Sequence, residues 1–217
     1  LISDPSFNYF LSEIANYLYC ILIVALSTYF RLIEKEYFVF WCLYFLSPFF
    51  VNFVLFDPMY MPDQFFYIEE IVDVKLGNLE LPIFTLGIDL DTIKNSRLAI
   101  SAYLLSFIPI FSLTSITSVA FINKLLIFLT FLFLGRRLEP KKLMYFLIIP
   151  SLVLYSSVAL RDTLVLCLGI VSMVYLIERR PFISLFAILL ILLTKIQNAP
   201  GFLVVWLLFF IFYADKS

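Results

Sequence analysis

Three short polar stretches in this chain carry residue types suited to chemistry. The first runs Asp57-Pro58-Met59-Tyr60-Met61-Pro62-Asp63-Gln64-Phe65-Phe66-Tyr67. Asp63 is suited to take a proton from a hydroxyl, the more so because a carboxylate beside an apolar wall has a raised pKa. The same Pro62-Asp63 pair also reads as a helix start with Asp63 as N-cap. The second stretch is Tyr155-Ser156-Ser157-Val158-Ala159-Leu160-Arg161-Asp162. Arg161 offers a permanent charge and several fixed donors for phosphate, or else a snorkelling interface anchor. Asp162 reads as a cap for the helix that follows. The third is Thr194-Lys195-Ile196-Gln197-Asn198-Ala199-Pro200. Lys195 is suited to a second phosphate oxygen, and Gln197 and Asn198 to sugar hydroxyls. The alternative is an interfacial turn in which Pro200 opens the last helix. Tyr60 and Tyr67 offer faces for stacking on sugar rings, although aromatic belts at membrane interfaces are commoner. Asn123-Lys124 interrupts an apolar stretch and fits a buried pair with an acid.

The surroundings of these residues are apolar. Of the 217 residues, 63% are hydrophobic and 14% charged, and the mean hydropathy is +1.04. A soluble domain of this size would expose large sticky patches at such a composition, whereas a lipid-facing surface tolerates it. The apolar runs are continuous rather than alternating, which favours helices over a membrane barrel. There is no histidine, which removes histidine-based triads, zinc motifs and proton relays. The five glycines are too scattered for a phosphate-cradling loop. A net charge of −1 and no basic tract give no reason to expect nucleic acid. Cys20, Cys42 and Cys167 sit in apolar runs and read as small hydrophobes. The chain begins at Leu1 and reads as a fragment or a processed product.

The elements that must position the polar stretches follow from the runs. Spans are expected over about 14–30, 37–56 (bent at Pro48), 143–160 (kinked near Pro150), 163–177, 182–194 and 200–213. Residues 98–134 are too long for one span, and Pro109 with the Ser112–Ser118 cluster interrupts them. An interfacial or re-entrant piece near 98–111 followed by a span ending at Leu134 is favoured. The expected fold is therefore all-α: one transmembrane domain over 1–217 with about seven to eight spans or partial spans. An acidic external loop, 57–97, should carry an amphipathic interfacial helix over 64–75, with Phe65, Ile68 and Val72 on its apolar stripe. The basic connections 136–142 and 179–180 are placed in the cytoplasm. The acidic segment, Arg161-Asp162 and Lys195 to Asn198 then share the outer face.

The acidic loop Asp57…Pro62-Asp63-Gln64…Tyr67 resembles the first external loop of GT-C-type membrane glycosyltransferases. The Ser156-Ser157…Leu160-Arg161-Asp162 junction, followed by Gln197-Asn198, is similar to bacterial surface-polysaccharide polymerases and related sugar transferases. The resemblance covers 57–200. It implies a multi-pass enzyme of the bacterial cytoplasmic membrane with an outward-facing cavity. Its donor would be a sugar on polyprenyl phosphate or pyrophosphate, and its second substrate a glycan acceptor. Asp63 or Asp57 would be the acid of the loop, and Arg161 and Lys195 would hold the carrier phosphate. The chain departs from the pattern in two places. Asp57 and Asp63 are not adjacent, which leaves the choice of base open, and lysine stands at 195 where relatives favour arginine. No residue spacing demands a metal, although two loop carboxylates suit a divalent cation such as Mg or Mn. Two other functions fit the same composition. A transporter component would place ionisable residues along a midplane path, and a non-catalytic assembly subunit would tolerate alanine at Asp63, Arg161 and Lys195.

Overall fold

The computed structural model describes residues 7–57, 63–77, 90–113 and 115–213, and side chains within 10–57, 63–77, 98–113 and 115–211. Tyr60, the 78–89 part of the acidic segment and the side chain of Arg97 lie outside the described residues. The described residues are helical and contain no strand.

Three helices are long and apolar enough to cross a membrane: 10–29, 35–55 and 116–135. The first two belong to α1 (Phe7–Tyr29) and to α2 (Phe38–Phe50) with its flanking turns. The third is α5 (Ile116–Gly135). The expected seven to eight spans are not reached. The apolar helices α8 (Asp162–Ile177), α9 (Pro181–Thr194) and α10 (Ala199–Tyr213) have 16, 14 and 15 residues. At 1.5 Å per residue each extends roughly 21–24 Å, short of the ~30 Å hydrocarbon core.

Proline chemistry explains two of the breaks. Pro48 lies inside α2, where its missing N–H would strand the Tyr44 carbonyl. The Ser47 hydroxyl donates to that carbonyl at 2.7 Å, and the helix then widens into a π turn, Val51–Leu55. The segment 143–160 is not one kinked span. It is two short helices, α6 (Pro140–Leu147) and α7 (Pro150–Ser156), each opened by proline at its first position. The break expected within 98–134 separates α4 (Leu90–Ser106) from α5. Ser115 and Ser118 form a reciprocal capping box at the start of α5. Buried Glu13 and Asn16 of α1 fasten this junction. Glu13 accepts from Ser115 and Ser118 at 2.5 and 2.8 Å, and Asn16 exchanges bonds with the Ser112 backbone.

Side-chain contacts set the helix directions. The N-terminal ends of α1 and α5 meet at Glu13, and the C-terminal ends of α5 and α8 meet through the Arg137–Glu178 ion pair. Helices α1, α5 and α8 therefore run the same way. α9 returns along α8, where Ser172 and Ser184 Oγ lie 2.9 Å apart, and α10 returns along α9, with the Trp206 indole donating to the Pro181 carbonyl. The core is aromatic where α2 crosses α5: Trp41 is fully buried, with Phe128 and Phe131 edge-on at 4.7 and 5.1 Å. Such pairs contribute about 0.5–1.5 kcal/mol each beyond burial.

The helix expected over 64–75 is α3 (Asp63–Leu76). Its buried residues are Gln64, Tyr67, Ile68 and Ile71, while Phe65 and Val72 are only half-buried. The buried face is turned from the expected stripe because α3 packs on α4 and α5.

Gly169 of α8 lies close against Phe202 of α10. A Cβ there would lie 2.4 Å from Phe202 Cζ, and Phe202 is packed against Val165, Ile191 and Ala199. Gly169→Ala should lower stability by about 1–3 kcal/mol, and adding Phe202→Leu should recover most of it. Thermal unfolding of the detergent-purified chain checks both.

Candidate functional site

The chain between α7 and α8 turns back inside the bundle. Asn123 lies about 10 Å below the N-terminus of α5 at helical rise. Its amide donates to the carbonyls of Val158 and Leu160 at 2.8 and 2.9 Å, so the 157–161 turn sits at that depth. Backbone groups there need protein partners, and two other elements provide them. Asn52 of the π turn donates to the Ser157 carbonyl at 2.9 Å. Gln64 of α3 accepts from the Ala159 N–H at 2.8 Å. Lys124, next to Asn123 and fully buried, donates to Ser156 Oγ at 2.7 Å and to the Val153 carbonyl at 3.2 Å. Its ammonium lies 3.8 Å from the centroid of the Tyr44 ring. The acid expected beside Lys124 is absent among the described residues; hydroxyl, carbonyl and ring take its place.

This turn delivers Arg161 and Asp162 to the end of α9. Arg161 donates to the Thr194 carbonyl at 2.8 Å, satisfying an orphan group at the negative end of that helix. Its other guanidinium donors remain for further partners. Asp162 is the first residue of α8 and makes no side-chain cap; it forms an ion pair with Lys195. The cap expected of Asp162 is thus corrected: the fold brings Lys195 beside it, and the ion pair replaces the backbone bond.

Tyr67 packs across from Arg161, whose guanidinium carbon lies 5.7 Å from the ring centroid. Burial pushes the Tyr67 phenol up to about 12; Arg161 opposes that shift, and Asp162 and Asp63 add to it. Asp63 is exposed at the first turn of α3, and its charge is felt at Tyr67. Of the expected site residues, Asp63, Tyr67, Arg161 and Lys195 therefore gather together. Asp57 is exposed after the π turn. Gln197 and Asn198 are exposed on the turn between α9 and α10, and the Asn198 N–H donates to the Lys195 carbonyl at 3.1 Å.

Beside the Asp162–Lys195 pair opens a cleft of about 500 Å³. Ser151, Tyr155 and Thr163 add hydroxyls to its polar end, and Phe146, Ile149, Leu152 and Leu166 form an apolar wall. Among the described residues, no three acidic or sulfur side chains come together as a metal cage. The supporting roles of Asn52, Gln64 and Asn123, and of Tyr44 and Ser47, were not foreseen from the sequence, although Gln64 and Asn123 stood in stretches already singled out. Their signal was present as polar side chains inside or beside apolar runs, but their targets were not: the backbone of one turn for Asn52, Gln64 and Asn123, and the hydroxyls of Ser156 and Ser157 for Tyr44 and Ser47. Comparison with protein families, with curated proteins and with solved structures found no match.

Asn123→Ala should remove both clamps on the turn. A loss of about 1–3 kcal/mol and faster hydrogen exchange at the amides of 158–161 are expected. Tyr67 supplies a pH test. Its folded pKa lies above the ordinary 10.0, so its contribution is complete below pH 10 and is lost as pH rises through about 12. Tyr67→Phe should show a shallower fall in unfolding temperature over that window than the wild type.

Proposed function

We propose that this chain is a multi-pass protein of the bacterial cytoplasmic membrane that transfers or polymerises sugars from a polyprenyl-(pyro)phosphate donor. The observation that carries this is a cleft with an apolar wall whose polar end holds Lys195 and Asp162, with Arg161 next to Asp162 in the chain and 5.7 Å from the Tyr67 ring. A lipid-linked phosphate needs that combination: cations for its charge and an apolar surface for its tail. Arg161 is held in place by α9 while keeping donors for phosphate oxygens. Lys195 would exchange Asp162 for the same phosphate.

In the transfer step the acceptor hydroxyl attacks the anomeric carbon. The new carbon–oxygen bond forms as the bond to the carrier phosphate breaks. Asp63, or Asp57 in its place, takes the hydroxyl proton, and the phosphate leaves with its electron pair toward Arg161 and Lys195. Gln197 and Asn198 belong to the sugar side of this scheme. Transport is the weaker proposal because the ionisable groups deep in the long helices are engaged by hydroxyls: Lys124 by Ser156, and Glu13 by Ser115 and Ser118.

Titration of the detergent-purified chain with a short-chain polyprenyl phosphate tests this. Saturable binding is expected, with Arg161→Ala weakening it about 10- to 100-fold through lost charge-assisted bonds. Asp63→Asn should bind normally yet abolish glycan formation. A folded wild type that does not bind, or an Arg161→Ala variant that binds equally well, would sink the proposal.

A further inference from the structure

The opposite end of the bundle holds a second cavity, of about 550 Å³. It lies between the α1–α2 turn and the α5–α6 turn. Buried Ile33 and Phe131 form its floor, and exposed Arg31, Glu34 and Lys35 stand on its rim with half-buried Tyr37. Neither Arg31 nor Lys35 has an ion-pair partner within 4.0 Å among the described residues. The surrounding turns reinforce the charge: the segments 31–36, 136–142 and 178–180 together carry eight basic side chains against Glu34, Glu36, Glu139 and Glu178.

The backbone at Arg31 is a second, independent observation. Its φ is 57°, the left-handed region. The Arg31 N–H donates to the Thr28 carbonyl at 3.0 Å and the Leu32 N–H to the Ser27 carbonyl at 2.8 Å. These two bonds form a Schellman motif whose left-handed position ordinarily favours glycine. An arginine there carries backbone strain that glycine would avoid, and it places a guanidinium at the cavity mouth. Apolar surface continues outward from the rim, since Tyr29, Phe30 and Leu32 are 79%, 66% and 49% exposed.

We propose that this cavity binds a phosphate anion whose carrier also bears hydroxyls, the chemistry of a phosphatidylglycerol-type headgroup or of a free phosphate ester. Arg31 and Lys35 take the phosphate oxygens, and Glu34 and the Tyr37 hydroxyl are acceptors for headgroup hydroxyls. The exposed apolar residues beside the mouth fit the acyl chains of the lipid form. The site is separate from the Arg161 cleft and does not depend on the transfer activity proposed above.

The test titrates the detergent-purified full chain with dihexanoyl phosphatidylglycerol, dihexanoyl phosphatidylcholine, glycerol 3-phosphate and inorganic phosphate, following thermal unfolding and bound mass by native mass spectrometry. Saturable binding of phosphatidylglycerol and none of phosphatidylcholine is expected. Arg31→Gly with Lys35→Gln should weaken it roughly tenfold or more, whereas Arg136→Gln should leave it within about twofold. Arg31→Gly suits the left-handed backbone, so the variant should keep its fold, and its unfolding temperature verifies this. Saturation by glycerol 3-phosphate or inorganic phosphate with the same dependence on Arg31 and Lys35 would support the site and assign it to a soluble phosphate. Equal binding by the folded double variant, or no saturable binding of any phosphate by the wild type, would overturn it.

Discussion

The rest of this structure depends on satisfying one turn of backbone, residues 157–161, deep among apolar helices. An orphaned amide or carbonyl there costs about 1–3 kcal/mol, and several lie within a few residues of one another. The chain meets this cost with side chains from distant places. Asn52, Gln64 and Asn123 each bond to the turn's backbone, and Lys124 holds the serine that precedes it. Because these donors and acceptors sit on α2's π turn, α3 and α5, the turn also joins those elements. A bundle whose helices slide on apolar contacts alone would have no fixed register; this polar clamp provides one.

The clamp explains why the candidate site lies where it does. The turn emerges as Arg161 and Asp162, and the antiparallel return of α9 places Thr194 and Lys195 against them. Each charge is neutralised or used before any ligand arrives: Arg161 by a helix-end carbonyl, Asp162 and Lys195 by each other. Such an arrangement lowers the cost of holding charges near an apolar wall. It also leaves a ligand phosphate to compete with Asp162 for Lys195, whereas Arg161 accepts it without giving up its own anchor.

The two ends of the bundle differ in their electrostatics. One gathers the carboxylates of α3 with the Arg161 cluster, while the other carries an excess of basic side chains on its connecting turns. The second end has its own strain: α1 and α8 both terminate with arginine in the left-handed region, at Arg31 and Arg179. Cations at helix C-termini complement the macrodipole, which offsets part of the conformational cost.

The helical class and most helix positions were legible in the apolar runs, because a run of apolar residues bounded by proline, serine or charge has few other ways to satisfy its backbone. The stops at Gly135, Glu178 and Lys195 were visible for that reason, as was the break near Ser112–Ser118. The helix over 64–75 was legible too, but its buried face was not, since hydropathy ranks Phe65 and Val72 above Gln64 while packing on α5 selects Gln64 for its hydrogen bond. The motifs holding Asp63, Tyr67, Arg161 and Lys195 stood out by residue type. Their meeting, the pairing of Asp162 with Lys195 instead of a cap, and the splitting of 143–160 into two short helices were decided only in three dimensions. Local sequence states which groups need partners, but a partner 33 residues away, as Lys195 is from Asp162, is chosen by how the helices pack.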